Sequence, residues 1–369
     1  MKLFSKSIIP ATFVLLASVF GSDGAAAQTS HKLTAGKATE YGLVYSLPLT
    51  AVDIVLEAEL AEEAPGEFQN YARRYLGDMG HVVREPRKSV TLKSVTIVPR
   101  GVADSENRWL AQFKAGSAPY MILNSANIPV AVNTGDVPED AAPELPVARQ
   151  ASPTPLQTEA ARQAITQDMA RSSSTQKKAE LAAQRIFELR ETRSDILSGQ
   201  SDNTPPDGQA MKLVLDNLAA QEAALTAMFV GTHTSRTVVE TVSLLPDSSD
   251  FSGRVVARLS STDGIVEADN LAGSPVTVNL TIIEEGKLPV TEKGEQKKFP
   301  KGGFAYNIPG KALLEVCYDG RTIASKEVEL SQLGVTFGLD PALFTDKKAP
   351  SKLILDPATG AIKTFGPAQ

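Results

Sequence analysis

The stretch TQKKAELAAQRIFELRETRSDILSGQSDNTPPDGQAMKLVLDNLAAQEAALTAMFVG, Thr175 to Gly231, decides how this chain is built. From Thr175 to Leu197, the residues Leu181, Ala182, Ile186, Leu189, Ile196 and Leu197 fall along one broad face, the period of an amphipathic helix. Ser198-Gly199 ends it, because glycine turns the chain left-handed at low cost after a helix. Thr204-Pro205-Pro206-Asp207 opens a second helix with a capping hydroxyl, prolines where helix N–H groups lack partners, and an acid facing the dipole. It continues through Met211, Leu215, Leu218, Ala219, Leu225 and Phe229 and stops at Gly231. The short connection makes the pair an antiparallel hairpin.

This hairpin carries the densest polar constellation in the chain: Arg185, Arg190, Arg193, Asp202, Asp207 and Glu222. Antiparallel pairing about Ser198–Thr204 places Glu222 near Arg185 and Asp207 near Arg193, at ~1.5 Å rise per residue. Such a cluster either pairs its charges across the helices and fixes their register, or holds a carboxylate-bearing ligand. Ion pairing is the expected use.

On either side of the hairpin the pattern is β. Val52, Ile54, Leu56, Ala58 and Leu60 alternate with Asp53, Glu57 and Glu59, and Tyr41, Leu43, Tyr45 and Leu47 alternate before them. Pro65-Gly66 then opens a short helix with Phe68, Tyr71, Ala72, Tyr75 and Leu76 on one stripe, capped by Gly77 and expected to pack on the sheet. Further strands are expected at Val90–Val98, Trp109–Phe113 and Tyr120–Leu123. Prolines 138, 143, 146, 153 and 155 break the pattern, so 133–165 reads as an extended, mobile linker. Beyond the hairpin, Val238–Leu245, Arg254–Leu259 and Val276–Ile283 are β-branched runs. Asp319-Gly320 signals a tight hairpin, and Asp356-Pro357-Ala358-Thr359-Gly360 a second one. The expected fold is α+β. It comprises an N-terminal β-rich module with one short helix (28–132), the linker, a helical hairpin (166–231) and a C-terminal β-sandwich-like module (232–369).

The first residues read as an address. Lys2 and Lys6 precede the apolar run Ile8–Phe20, and Ala25-Ala26-Ala27 precedes Gln28, so 1–27 reads as a cleaved signal peptide. The run is too short to span a bilayer, and no transmembrane span is expected after cleavage. No cysteine follows it that could carry a lipid. An exported, periplasmic or envelope-associated protein is therefore expected. Cys317 is the only cysteine of 369 residues, so no intramolecular disulfide can form, and its strand context reads as a small buried hydrophobe. A formal net charge of −6 argues against nucleic acid as a partner.

Motifs for chemistry are lacking. His31, His81 and His233 have no second ligand at metal spacing, and Asp247–Gly253 lacks the oxygen spacing of a calcium loop. There is no G-x-S-x-G, no phosphate-binding loop and no dinucleotide fingerprint. No metal and no cofactor is expected. Tyr41, Tyr45, Tyr71, Tyr75 and Trp109 read as core aromatics rather than a sugar platform.

The string Ile186, Arg190, Arg193, Gly199, Asp202, Pro206-Asp207-Gly208, Leu218, Glu222, Leu225, Phe229 and Gly231 resembles a family of exported Bacteroidota proteins, domain-of-unknown-function family 4831. Tyr45–Thr50, Pro65-Gly66 with Tyr71-Ala72 and Tyr75–Gly77, and Gly303–Gly310 with Gln332-Leu333-Gly334 are similar to it too. Gln200 and Asn307 stand where an acid and an arginine are expected. The resemblance implies an envelope location and one architecture, and no activity. Two functions are expected in order: a non-enzymatic envelope protein binding another envelope protein or a glycan, then a carboxylate-dependent hydrolase of cell-wall or dietary polymer.

Overall fold

The computed structural model describes residues 29–32, 42–77, 80–112, 120–135, 137, 143–200, 208–345 and 350–368. The expected leader, Tyr41, the Thr204 cap and the candidate residues Asp202 and Asp207 lie outside the described residues. The chain runs β1 (Thr29–Lys32), β2 (Leu43–Ala64), α1 (Ala72–Leu76), β3 (Arg87–Gln112), β4 (Met121–Leu123) and β5 (Pro129–Val132). Then come α2 (Glu159–Ala164), α3 (Gln167–Arg171), α4 (Thr175–Ser198) and α5 (Gln209–Val230). The remainder is β6 (Thr232–Leu244), β7 (Phe251–Ser260), β8 (Gly264–Glu267), β9 (Ser274–Glu284), β10 (Phe304–Tyr318) and β11 (Arg321–Leu339), followed by α6 (Ala342–Thr345), β12 (Ser351–Leu355) and β13 (Ile362–Pro367). The fold is mixed, mostly strand with few helices.

Among the described residues three sheets result, ordered β1-β3-β2-β6, β11-β10-β9-β7-β8 and β13-β12-β5-β4. The alternating apolar face of β2 (Val52, Ile54, Leu56, Ala58) packs with Val276, Val278, Leu280, Leu314, Val316 and Leu330 of the second sheet. The sandwich is therefore built from one sheet of each expected module. The first sheet itself takes β6 from beyond the helical hairpin, paired with β2 from Val52↔Leu244 to Ala64↔Thr232.

The two alternating runs expected around Tyr45 and Val52 are one strand of 22 residues, and its partner β3 has 26. Ordinary strands run about 5–6 residues. These are long because each serves two cores. Past a register shift between Ser46 and Pro48, the same ribbon enters a second core, where Tyr45, Leu47 and Trp109 meet Phe304, Tyr306, Phe337, Leu353 and Leu355. The ribbon β10·β11 crosses the same seam with its own shift between Ile308 and Gly310.

Buried hydrogen bonds join the ribbons at that seam. Asn307, only 5% exposed, donates through Nδ2 to Pro48 O (3.1 Å) and Thr359 O (3.0 Å), and accepts from Thr336 Oγ1 (3.2 Å). Gln332 Nε2 donates to Thr50 O and Pro246 O, both at 3.0 Å, while Thr50 N–H donates to Gln332 Oε1 (3.1 Å). Gly101 has no side chain because Pro357 O would lie 1.9 Å from a Cβ there.

A third core is helical. Ala182, Ile186 and Leu189 of α4 and Leu225 and Phe229 of α5 enclose Phe68, Ala72, Ala164 and Met169. The short helix after Pro65-Gly66 therefore packs on the hairpin, not on the sheet as expected. Phe68 N–H donates to Met228 O (2.7 Å), and its ring lies 5.4 Å from that of Phe229. By length and composition α5 could cross a membrane; it is the one such helix among the described residues, and its Ala224, Leu225, Ala227 and Phe229 are buried in this core.

The Pro-rich stretch also departs from expectation within its described part. Pro155 begins a single 3₁₀ turn (Pro155–Gln157) capped by Thr154, and α2 follows, capped by Thr158. Arg149 pairs with Thr237 of β6. Proline at the first turn of a helix costs nothing, since its missing N–H has no partner there.

Asn307→Leu strips the donor from two buried carbonyls, Pro48 O and Thr359 O. At roughly 1–3 kcal/mol per buried group left unpaired, the variant is expected to lose about 2–4 kcal/mol in urea unfolding. A loss under about 0.5 kcal/mol would show that the seam does not depend on it.

Candidate functional site

The hairpin cluster forms, in a shifted register. Ser174 caps α4 by accepting from Lys177 N–H (3.4 Å), and Gly199 closes it in the left-handed conformation at φ 73°. Arg190 and Arg193, one turn apart, both reach Glu222 of α5. Arg190 Nε donates to Oε1 at 2.6 Å, and Arg193 Nη1 lies 3.0 Å from Oε2. Arg185, the expected partner, pairs instead with Glu188 of its own helix at 3.1 Å. The start of α5 bears on this register. Gly208 takes φ +88°, outside helical geometry, and α5 runs from Gln209. Glu222 thus sits opposite Arg190 and Arg193, more than one turn nearer the C-terminal end of α4 than Arg185.

The Glu222 side chain is 15% exposed and each arginine about 38–39%. A carboxylate held by two guanidinium groups has a charged partner on each oxygen. Beside it lies an open groove of about 430 Å³, lined by Arg190, Glu222, Ala219, Ala223, Thr226 and Pro155. Its walls are mostly small or apolar residues, with Arg190 and Glu222 also lining it. The former linker supplies a wall.

Elsewhere the charges are arranged in rungs across the first sheet. Arg100 Nε donates to Asp53 Oδ2 (2.8 Å), and Ser243 donates to the same carboxylate. The Arg100 hydrogen bond is the main cause that holds Asp53 below its ordinary carboxylate value, and Ser243 adds to it. Lys93 does the same to Glu59, helped by Ser235. Both carboxyls are thus pushed away from the protonated form that a general acid needs. Cys317 is half-buried, 3.7 Å from Thr322 Oγ1 and from Asn279 Nδ2. His233 Nδ1 lies 3.8 Å from Glu63 Oε1, and no group of three metal-ligating side chains occurs among the described residues.

Sequence reading passed over the loop between β9 and β10. It is ordered by a small turn: Thr291 N–H donates to Glu295 O (2.7 Å), Lys297 N–H to Pro289 O (2.7 Å), and Val290 bridges Gln296. Phe299 anchors it, stacked on Trp109 with centroids 5.3 Å apart and planes 8° from parallel. Five exposed lysines stand on it, Lys287, Lys293, Lys297, Lys298 and Lys301, against three exposed glutamates, Glu285 at its base and Glu292 and Glu295 at the tip. None of the five makes an ion pair with a described residue, whereas Lys88, Lys93, Lys177, Lys311 and Lys363 all do. The signal in the sequence was lysine density within a segment rich in Pro and Gly.

Two outcomes test this electrostatic picture. Glu222→Gln is expected to lose about 1–3 kcal/mol in denaturant unfolding, because two guanidinium groups lose their shared partner. Arg185→Ala is expected to lose under about 0.5 kcal/mol, as an exposed pair within one helix does. Equal losses would return Arg185 to the cluster. For Asp53, a folded pKa below the unfolded one contributes stability above the unfolded value, and this is lost as pH falls through the folded value. Asp53→Asn should therefore lower the melting temperature slightly at pH 7, by about 0–1 kcal/mol of stability. That gap should close on acidification toward pH ~2.

No curated protein and no solved structure matches the chain. The model of one family, described as Domain of unknown function (DUF4831), matches residues 41–363, a span that takes in all three cores. The chain belongs to that family.

Proposed function

We propose that the protein is exported, works in the cell envelope, and acts there by binding an acidic glycan rather than by catalysis. The observation that carries this reading is the loop of five exposed, unpaired lysines, held in shape by Phe299 on Trp109. In a chain with a net charge of −6, a fixed lysine-rich surface attracts an anionic polymer that the rest of the protein's surface repels. Export rests on the leader-like residues 1–27 and on the lone cysteine. Against a hydrolase reading, the carboxyls with resolved shifts, Asp53 and Glu59, are stabilised as anions by Arg100 and Lys93.

The test is binding of the protein to immobilised polygalacturonate and to neutral dextran. Retention on the acidic polymer alone is expected, weakening with salt as screened charges do. Replacing all five loop lysines by glutamine should weaken it about tenfold, the product of five exposed contacts of a few tenths of a kcal/mol each. Equal retention on dextran, or release of reducing ends from either polymer, would overturn the reading. N-terminal sequencing of exported material should begin near Gln28.

A further inference from the structure

We propose that the outer edge of β6 is a docking site for an extended segment of another protein that brings a basic side chain. This is independent of the cationic loop and lies on a different element. The strand β6 is the edge of its sheet, with β2 as its inner neighbour. Its outward direction is fixed by one residue of this chain. Thr237 N–H donates to Arg149 O (2.8 Å), and Arg149 N–H donates to Thr237 O (2.9 Å). Two residues exchanging both bonds form one rung of an antiparallel ladder. The backbone groups of Thr237 therefore face outward. By the two-residue alternation of a strand, those of Val239, Thr241 and Ser243 do too. The pairing with β2 runs without a register shift over this stretch, so the alternation is unbroken.

The ladder stops after its first rung. Continued in register, Val147 would face Val239, Leu145 would face Thr241 and Pro143 would face Ser243. The last has no N–H to give. Val147 is 73% exposed and Leu145 48%, and among the described residues no backbone hydrogen bond joins 143–148 to Val239, Thr241 or Ser243, so the chain's own segment leaves these rungs free. An edge of this kind takes up a further strand, main-chain bonds giving affinity and alternate side chains giving selectivity.

The chemistry of the partner follows from the cleft beside the edge. Between β6 and β8, itself an edge strand, lies a cleft of about 490 Å³, floored by Val242, Val256 and Ile265 and rimmed by Glu240 and Glu267. Glu240 belongs to the β6 face that carries Val238 and Val242 toward the sandwich, and it is exposed. Neither glutamate makes an ion pair with a described residue. A carboxylate on the inner face of an edge strand repels a second copy of the same edge and an apolar strand alike. A lysine or arginine placed there would be drawn in.

The experiment uses the full mature chain and a fluorescent eight-residue peptide alternating valine with lysine. Saturable binding is expected, at least about tenfold weaker for the same peptide with glutamate in place of lysine. It should weaken as much when the peptide backbone is N-methylated at alternate residues. Thr241→Pro removes one outward N–H and should abolish binding while the melting temperature holds. The double variant Glu240→Lys, Glu267→Lys should reverse the preference to the glutamate peptide, which keeps the test decisive if the proline variant fails to fold. Glutamine at the five loop lysines should leave peptide binding unchanged. Equal affinity for both peptides, indifference to N-methylation, or self-association in place of peptide binding would overturn the proposal.

Discussion

Everything else in this structure hangs on the seam where two long ribbons bend between two cores. A strand that leaves one hydrophobic core for another must break its alternation, and the break exposes backbone groups that have to be satisfied again. Here Pro48 and Pro309-Gly310 mark the breaks. Asn307 and Gln332 answer them, each giving its amide hydrogens to two carbonyls from other parts of the chain. Gly101 admits the carbonyl of Pro357 where no side chain could stand. The seam gathers the Tyr45–Thr50, Gly303–Gly310 and Gln332–Gly334 strings into one place. That gives those strings a physical role. They join the sandwich to the small third sheet, and Asn307 meets its partners through neutral hydrogen bonds.

Around this seam the charges are mostly spent locally. Asp53 with Arg100, Glu59 with Lys93, and Glu222 with two arginines are closed pairs whose effect is to fix which strand or helix lies beside which. The exposed sheet pairs contribute little to stability and more to register, and the less exposed Glu222 contributes more. In the hairpin, the most conspicuous polar pattern in the chain, Arg190, Arg193 and Glu222 are paired in this way. Among the charges with no ion pair to a described residue are the five lysines of an ordered loop and two glutamates at an open sheet edge. Surfaces that keep their charges unpaired are where a partner gains the most from approaching.

Much of the local structure was legible from residue order. The face of α4 through Ile186 and Leu189, its glycine stop at Gly199, and the alternation Val52–Leu60 all depend on periodicity, which is a property of neighbours in sequence. The tight turn at Asp319-Gly320 was legible for the same reason, since both residues tolerate the positive φ angles of 49° and 70° that they adopt. Arg190, Arg193 and Glu222 were legible as a cluster.

Their pairing was not legible, and neither was the partner of any apolar face. Periodicity says that Phe68 and Ala72 must be buried, but a helix stripe fits a sheet or another helix equally well. It found the helical hairpin because β6 pairs with β2 and carries α5 back over the short helix. Nor could local pattern show that the sandwich takes one sheet from each side of the hairpin, because strand pairing joins residues far apart in the chain. The sequence by itself determined the elements, their faces and the charges placed on them. Only the tertiary structure decided which charges meet a partner and which are left facing solvent, because pairing depends on distance in space and the sequence records only distance along the chain.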